Sequence, residues 1–336
     1  MSIANLALNL REKKMSLRKM EEIEVVVGPG ETGTRLDIFL MRYCKKHTRA
    51  QIQRLIDEGL ILVDGEVKKR SYRVKEGERV KGTLKPPPAI KLEPEEIPLH
   101  IVYEDDELVV VNKPPGMVVH PSSGHFKSTL VNALLHHCTT LSEGSDPVRP
   151  GIVHRLDKGT SGLMVVAKNN FAHKILGEQF QQHLIKKEYF ALCWGELKDD
   201  ERKIEAPIGR NKKNRKKYAV IPEGKEAITI VKVKERFSGF TLVSASPLTG
   251  RTHQIRVHLS HIGHPLVGDP LYGGARIKGK VEEKLAQIIK DLNRPALHSA
   301  KLGFYHPESG EYLEFYQPLP DDMKGLLDYL RERRGI

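Results

Sequence analysis

Cysteine is scarce, with three residues in 336, and tryptophan occurs once. Cys44, Cys138 and Cys193 are widely spaced, odd in number and form no C-x-x-C pair. A disulfide framework and a structural zinc site are therefore set aside, and the thiols read as reduced core residues of a cytoplasmic protein. No apolar run approaches the ~20 residues that a membrane helix needs, so no membrane partner is expected. The first 20 residues lack the apolar core and cleavage site of a secretory signal. There is no G-x-x-x-x-G-K-[ST] loop, a dinucleotide-binding turn is not expected either, and the chain reads as one without a nucleotide cofactor.

Positive charge is plentiful. Lys and Arg number 55 against 43 acidic residues, a formal charge of +12, and the excess is clustered, which points to a polyanionic partner. The densest run, Arg210 to Lys217, reads RNKKNRKK and contains Lys212, Lys213, Arg215, Lys216 and Lys217. Its only aromatic neighbour is Tyr218, so it suits phosphate contact better than base stacking.

Length suggests two domains. Residues 1–20 form a loosely ordered basic extension, and 21–85 read as a small module. In that module Thr34 to Leu40 opens a helix, Arg49 to Glu58 forms a second with Ile52, Leu55 and Ile56 on one face, and Gly59 closes it. A strand-like Leu60 to Val63 then enters a turn at Asp64-Gly65. Residues 86–98 are a stiff proline-rich linker. The remainder, 99–336, holds strand-like segments at Leu99–Tyr103, Leu108–Val111, Tyr189–Trp194, Ala227–Glu235, Phe240–Ala245 and Tyr312–Gln317. Helices are expected at Thr129–Cys138, Asn170–Leu184, Thr252–His261 and Asp321–Arg334. Strands outnumber helices in irregular order, so an α+β fold with a mixed, largely antiparallel sheet is expected.

The segment Gly151 to Lys168, GIVHRLDKGTSGLMVVAK, places Asp157 in a polar turn between two apolar runs, Gly151–Val153 and Leu163–Ala167, both read as buried strands. A carboxylate on a loop held by a sheet is a usual way to present a catalytic group. The strings His154-Arg155-Leu156-Asp157 and Thr160-Ser161-Gly162 resemble the signature of the RluA-type pseudouridine synthases, a family that modifies ribosomal RNA. The resemblance runs from about Ile101 to Pro318 and implies a sheet with a central cleft. It also implies that Asp157 is the nucleophile, and the same residues serve attack on the sugar carbon or on the base ring.

Gly250 to His258, GRTHQIRVH, resembles the third motif of that family, whose Arg after Gln and an aliphatic residue pairs with the catalytic Asp. By position this is Arg256, with Arg251 ranked second. Lys187-Glu188-Tyr189 resembles the family's K-x-Y motif, which makes Tyr189 the residue that packs on the target base and a candidate acceptor of the carbon-bound proton. The resemblance also implies that Arg155 fills the gap left by a flipped nucleotide, with a phosphate contact as the alternative, while Leu156 and Ile255 shape the pocket. The module at 21–85 resembles the S4 RNA-binding domain, its basic face supplied by Arg35, Lys45, Lys46, Arg49, Arg54, Lys68, Lys69 and Arg70.

Two other signals are rejected. His253, His258, His261 and His264 lack interleaved acids and read as helix packing and pocket support, so no metal is expected and its removal leaves activity intact. His261-Ile262-Gly263-His264 spells the aminoacyl-tRNA synthetase HIGH string, but it follows Lys14-Met15-Ser16 instead of preceding the lysine motif. The expectation is a monomeric, cytoplasmic enzyme acting on RNA, ribosomal before transfer RNA. Its rival is a non-catalytic S4-containing RNA-binding or ribosome-assembly protein.

Overall fold

The computed structural model describes residues 21–44, 47, 49–84, 92–121, 126–144, 148–212, 214, 217–273 and 281–333. The basic extension at 1–20, and Lys45, Lys46, Lys213, Arg215 and Lys216 of the expected RNA-binding surface, lie outside them. Two compact units are present, Met1–Ile90 and Lys91–Ile336.

In the first unit, β1 (Glu21–Val26) leads to helices α1 (Leu36–Tyr43) and α2 (Arg49–Asp57), followed by β2 (Ile61–Val63), β3 (Glu66–Val67) and β4 (Arg79–Leu84). The sheet order is β1-β4-β2-β3, all antiparallel. Asp64 and Gly65 both have positive φ, 50° and 82°, as a two-residue hairpin turn requires. Leu36, Phe39, Leu40, Ile52 and Ile56 close over Ile61, Val63 and Val80 in one buried cluster. The chain does contain a G-x-G-x-x-G string, Gly28 to Gly33. It follows β1 but opens only a short 3₁₀ turn between antiparallel strands, and the Glu31 carboxylate accepts the Gly28 N–H at 3.2 Å. A pyrophosphate cradle needs those amides free at the start of a long helix in a βαβ unit, which is absent here.

The second unit is built on a nine-stranded sheet. Its strands are β5 (His100–Glu104), β6 (Leu108–Lys113), β7 (Ser161–Ala167), β8 (Lys186–Trp194) and β9 (Glu201–Glu205), then β12 (Ile228–Phe237), β13 (Phe240–Pro247), β14 (Leu297–Tyr305) and β15 (Tyr312–Tyr316). A separate hairpin joins β10 (Ile208–Arg210) to β11 (Tyr218–Val220). The main order is β5-β6-β7-β14-β8-β13-β12-β9, with β15 on β14. Only the β7–β14 pairing is parallel among these strands. Helices α3 (Leu130–His137), α4 (Asn170–Gln181), α5 (Gln254–His261), α6 (Glu283–Leu292) and α7 (Asp321–Glu332) complete it.

Alternation along the strands sorts the layers. Val109, Val111, Met164, Val166, Ala191 and Val243 face one side with Leu130 and Leu134 of α3 and Leu259 of α5. Leu108, Val110, Leu163 and Val165 face the other side with Ala172 and Leu176 of α4. Farther along, Leu192, Trp194 and Leu242 pack with α6 and α7. β7 is buried on both faces because it is central, and it reads as an unbroken apolar run for that reason.

The structure corrects several expectations. Gly151–Val153 is a turn with a single bridge from Ile152 to Val166, because Gly151 takes φ 74° and bonds back to Ser142. α4 stops at Gln181, where His183 turns the chain with φ 59°. α5 starts at Gln254 because His253 is left-handed, and α7 ends at Glu332. The later part of the proline-rich segment belongs to the second unit: Glu95 donates its N–H to Asn132 O at 2.9 Å, and Asn132 Nδ2 donates to Glu93 O at 2.7 Å. No helix among the described residues is long and apolar enough to cross a membrane.

Candidate active site

The turn that carries Asp157 is held from behind. His154 presents Nε2 to accept the Val165 N–H at 3.1 Å and stacks on Phe180 of α4 with centroids 4.6 Å apart. Burial, with the nearby Lys187 charge, pushes its pKa down to about 3, so it is a neutral structural acceptor. Lys113, at the end of β6, is fully buried and donates to the carbonyls of Pro114, Met117 and Lys158 at 2.9, 3.0 and 3.4 Å. Arg294 reaches the next carbonyl, Gly159 O, at 3.4 Å, while its other edge grips Asp322 of α7 through two 2.7 Å bonds. The two residues after Asp157 are thus anchored by two buried basic side chains.

Gly162 sets how closely β7 approaches β14. Its φ is +112°, and a Cβ there would lie 2.2 Å from Ser299 O and 2.6 Å from Ser299 N. No side chain fits, which accounts for the glycine of the T-S-G string.

Asp157 faces a cavity of about 570 Å³ lined by the turn itself, by Lys187 and Tyr189 of β8, by the end of β13, and by Gly250 to Arg256 leading into α5. That size suits a small-molecule-sized group. Arg256 donates Nη1 to Asp157 Oδ2 at 2.9 Å, across 99 residues of chain. Its opposite edge forms a fork on Asp269, Nε to Oδ2 at 2.7 Å and Nη2 to Oδ1 at 3.0 Å. Burial works against the charge of Arg256, but the Asp269 bonds and the charges of Asp269 and Asp157 hold its pKa above the ordinary value. It is therefore a permanent cation, fixed in direction, at the carboxylate.

Tyr189 lines the same cavity and is buried, and burial with the Asp157 charge pushes its pKa up to about 12. Arg155 is exposed at the rim, 3.4 Å from His120 Nε2. Leu156 and Ile255 are buried in the lining. Arg251 also lines the cavity, but its Nε is spent on Glu226 O at 2.9 Å. Asp157, Arg256, Tyr189 and Arg155 therefore meet at one cavity. Lys113, Asp269, Arg294 and Tyr272 escaped the sequence reading, since single buried polar residues with distant partners carry no local signature.

Of the basic hairpin, Lys212 is exposed and lies 3.9 Å from Glu223, Lys217 sits 6.0 Å from the Tyr272 ring, and Arg210 lies over Tyr218 at 5.7 Å. The run is therefore less devoid of aromatic partners than its sequence suggests. In the first unit, Arg35 and Arg49 converge on the fully buried Asp37, which also accepts from Gln53 Nε2 at 2.6 Å. Arg54 is exposed. His258 is a packing residue, with Nδ1 2.9 Å from Thr229 Oγ1 and Nε2 3.0 Å from Ala206 O. Glu104, His137 and Cys138 bring three ligand-type atoms together, but Lys168 already neutralises Glu104 at 2.9 Å.

Comparison with known proteins matches residues 107–261 to the RNA pseudouridylate synthase family and residues 34–80 to the S4 domain. The chain is 44% identical over 313 residues to the RNA pseudouridine synthase YlyB of Bacillus subtilis, covering 93% of this chain and 99% of that one. It is 44% identical over 307 residues to ribosomal large subunit pseudouridine synthase D of Neisseria meningitidis, covering 90% and 80%. Among solved structures, human RNA pseudouridylate synthase domain containing 1 superposes with a TM-score of 0.52 at 27% identity, over 70% of this chain and 96% of that one.

Proposed function

The chain belongs to the RNA pseudouridylate synthase family and carries an S4 domain, and from that premise we propose that it isomerises uridines of large-subunit ribosomal RNA with Asp157 as nucleophile on a flipped-out nucleotide. The family activity makes it an RNA pseudouridine synthase, an isomerase. The observation that carries the finer reading is the Asp157 carboxylate at the cavity, aimed by Arg256 Nη1 at 2.9 Å.

In the reaction the N1–C1′ bond breaks, the base turns, a C5–C1′ bond forms, the C5 proton leaves and N1 gains one. Asp157 supplies the oxygen that carries the nucleotide through this exchange, and Arg256 keeps it aligned. Tyr189 packs against the base. Its burial favours the neutral phenol, which supports the packing role over that of proton acceptor. A uracil within a helix cannot enter the cavity, so the nucleotide is extruded at a cost of a few kcal/mol. Arg155, exposed beside Asp157 at the rim, fills the vacated space. No step requires a metal or a nucleotide cofactor.

Relatives from Neisseria meningitidis and Nitrosomonas europaea named for the large ribosomal subunit support that substrate over transfer RNA. Arg35, Arg49 and Arg54 of the S4 domain, with Lys212, Lys213, Arg215, Lys216 and Lys217, supply phosphate contacts. The test is tritium release from ribosomal RNA labelled at uridine C5. Asp157→Asn is expected to fold, to bind RNA and to release none. Release at the normal rate by Asp157→Asn overturns the nucleophile, and no release by the unaltered protein favours the non-catalytic RNA-binding reading. Mapping pseudouridines in cells with and without the gene locates the substrate, and unchanged ribosomal RNA overturns that assignment.

A further inference from the structure

The backbone immediately before α5 is unusual. His253 has φ 58° and ψ 20°, a left-handed conformation uncommon for a residue with a side chain. Its imidazole is held on two sides, edge-on to Tyr218 at 5.6 Å and to Tyr272 at 5.8 Å. Nδ1 lies 2.9 Å from Tyr272 Oη, and that same oxygen accepts the Tyr218 N–H at 2.9 Å. The hydroxyl keeps its own proton to give to Nδ1, and in that arrangement the imidazole proton sits on Nε2. Burial, with Arg256 and Arg155 adding to it against Asp157 and Asp269, lowers the His253 pKa and keeps the ring neutral. Nε2 stands 3.8 Å from Asp157 Oδ2, the oxygen that Arg256 already holds. Closing that gap by about 0.8 Å makes a hydrogen bond. Asp157 Oδ1 has no hydrogen bond among the described residues.

We propose that His253 is a positioning residue for Asp157: with Arg256 it gathers at Oδ2, so that Oδ1 is the oxygen presented to the nucleotide. The inference rests on Asp157 being the nucleophile. Its chemistry depends on which ring nitrogen is used, and amide side chains separate the two. Gln places its amide nitrogen near the Nε2 position and keeps a donor for Asp157. Asn reaches only the Nδ1 position and keeps the Tyr272 partner.

The experiment measures kcat and KM by C5 tritium release, with thermal unfolding, for His253→Ala, His253→Asn, His253→Gln and Tyr272→Phe in the full chain. His253→Ala and His253→Asn are expected to lose about tenfold or more in kcat with KM little changed, the size expected for a misaligned reacting group. His253→Gln is expected to recover most of that loss. Tyr272→Phe, which leaves the backbone at 253 untouched, frees the tautomer and is expected to lower kcat by severalfold. His253→Asn with full kcat, or a fully active Tyr272→Phe, overturns the proposal, as does a stably folded His253→Gln no better than His253→Ala. An active Asp157→Asn instead sinks the nucleophile reading, so the two failures are distinguishable.

Discussion

Arg256 has two working edges, and removing the partner of one costs stability as well as activity, while removing the other costs activity alone. Asp269 is fully buried and takes Nε and Nη2 at 2.7 and 3.0 Å, together with the N–H groups of Leu271 and Tyr272 at 2.9 and 3.2 Å. In Asp269→Asn the amide cannot match the fork, and one of its own donors faces a guanidinium. Breaking a buried ion pair from one side costs about 3–5 kcal/mol. Arg256 keeps Asp157 as a counter-charge, which places the loss near about 3 kcal/mol. For a domain of this size each kcal/mol lowers Tm by about 2–4 °C, so a drop of about 6–12 °C is expected. At a temperature well below the new midpoint, tritium release is expected to fall about a hundredfold, because the guanidinium no longer fixes the direction of the carboxylate. Asp157→Asn leaves the Asp269 fork whole and is expected to unfold within about 2 °C of the parent while abolishing release. Thermal unfolding followed by circular dichroism, with single-turnover tritium release, reads both. A wild-type Tm for Asp269→Asn, or a larger drop in Tm for Asp157→Asn, refutes this division of the guanidinium.

Other outcomes follow from the same geometry. Burial, assisted by Arg294 and opposed by Asp157, pushes the Lys113 pKa down to about 7. Between that value and the ordinary lysine range the unfolded chain binds the extra proton, so stability rises as pH goes from about 7 to about 10. Denaturant midpoints of Lys113→Met are expected to lack this rise, and equal pH slopes for the two proteins contradict the assignment. Gly162→Ala is expected to yield little soluble protein because its methyl has no room against Ser299; normal yield and Tm contradict that. If the S4 arginines and the basic hairpin contact several phosphates, log affinity falls with log salt by about 0.7 per contact on single strands. A flat response in fluorescence anisotropy refutes those contacts.

What the sequence made legible was local chemistry. The Asp157 turn, the helix pair of the first unit and the antiparallel strands announce themselves through spacing, capping and apolar runs. Arg256 was identified by a motif, but its bond to Asp157 spans 99 positions and has no periodicity to reveal it. β14 went unread because His298, Ser299 and Lys301 interrupt its apolar pattern, although His298 and Ser299 are buried and bonded to Ser161 and Leu163. Gly151–Val153 has strand composition, yet the positive φ of Gly151 limits it to a single bridge with β7. The clamp of Lys113 and Arg294 is likewise invisible in sequence, since the carbonyls they hold carry no side-chain identity.

The place of β14 in the sheet bears on how the protein is made. β7 and β8 are neighbours in sequence, but β14 lies between them, parallel to one and antiparallel to the other. A nascent chain that has released only its first two hundred and fifty or so residues holds both halves of the sheet with nothing to join them. The seam closes when Leu297–Tyr305 leaves the exit tunnel, so catalytic competence arrives late in translation and prematurely terminated products are expected to be inert.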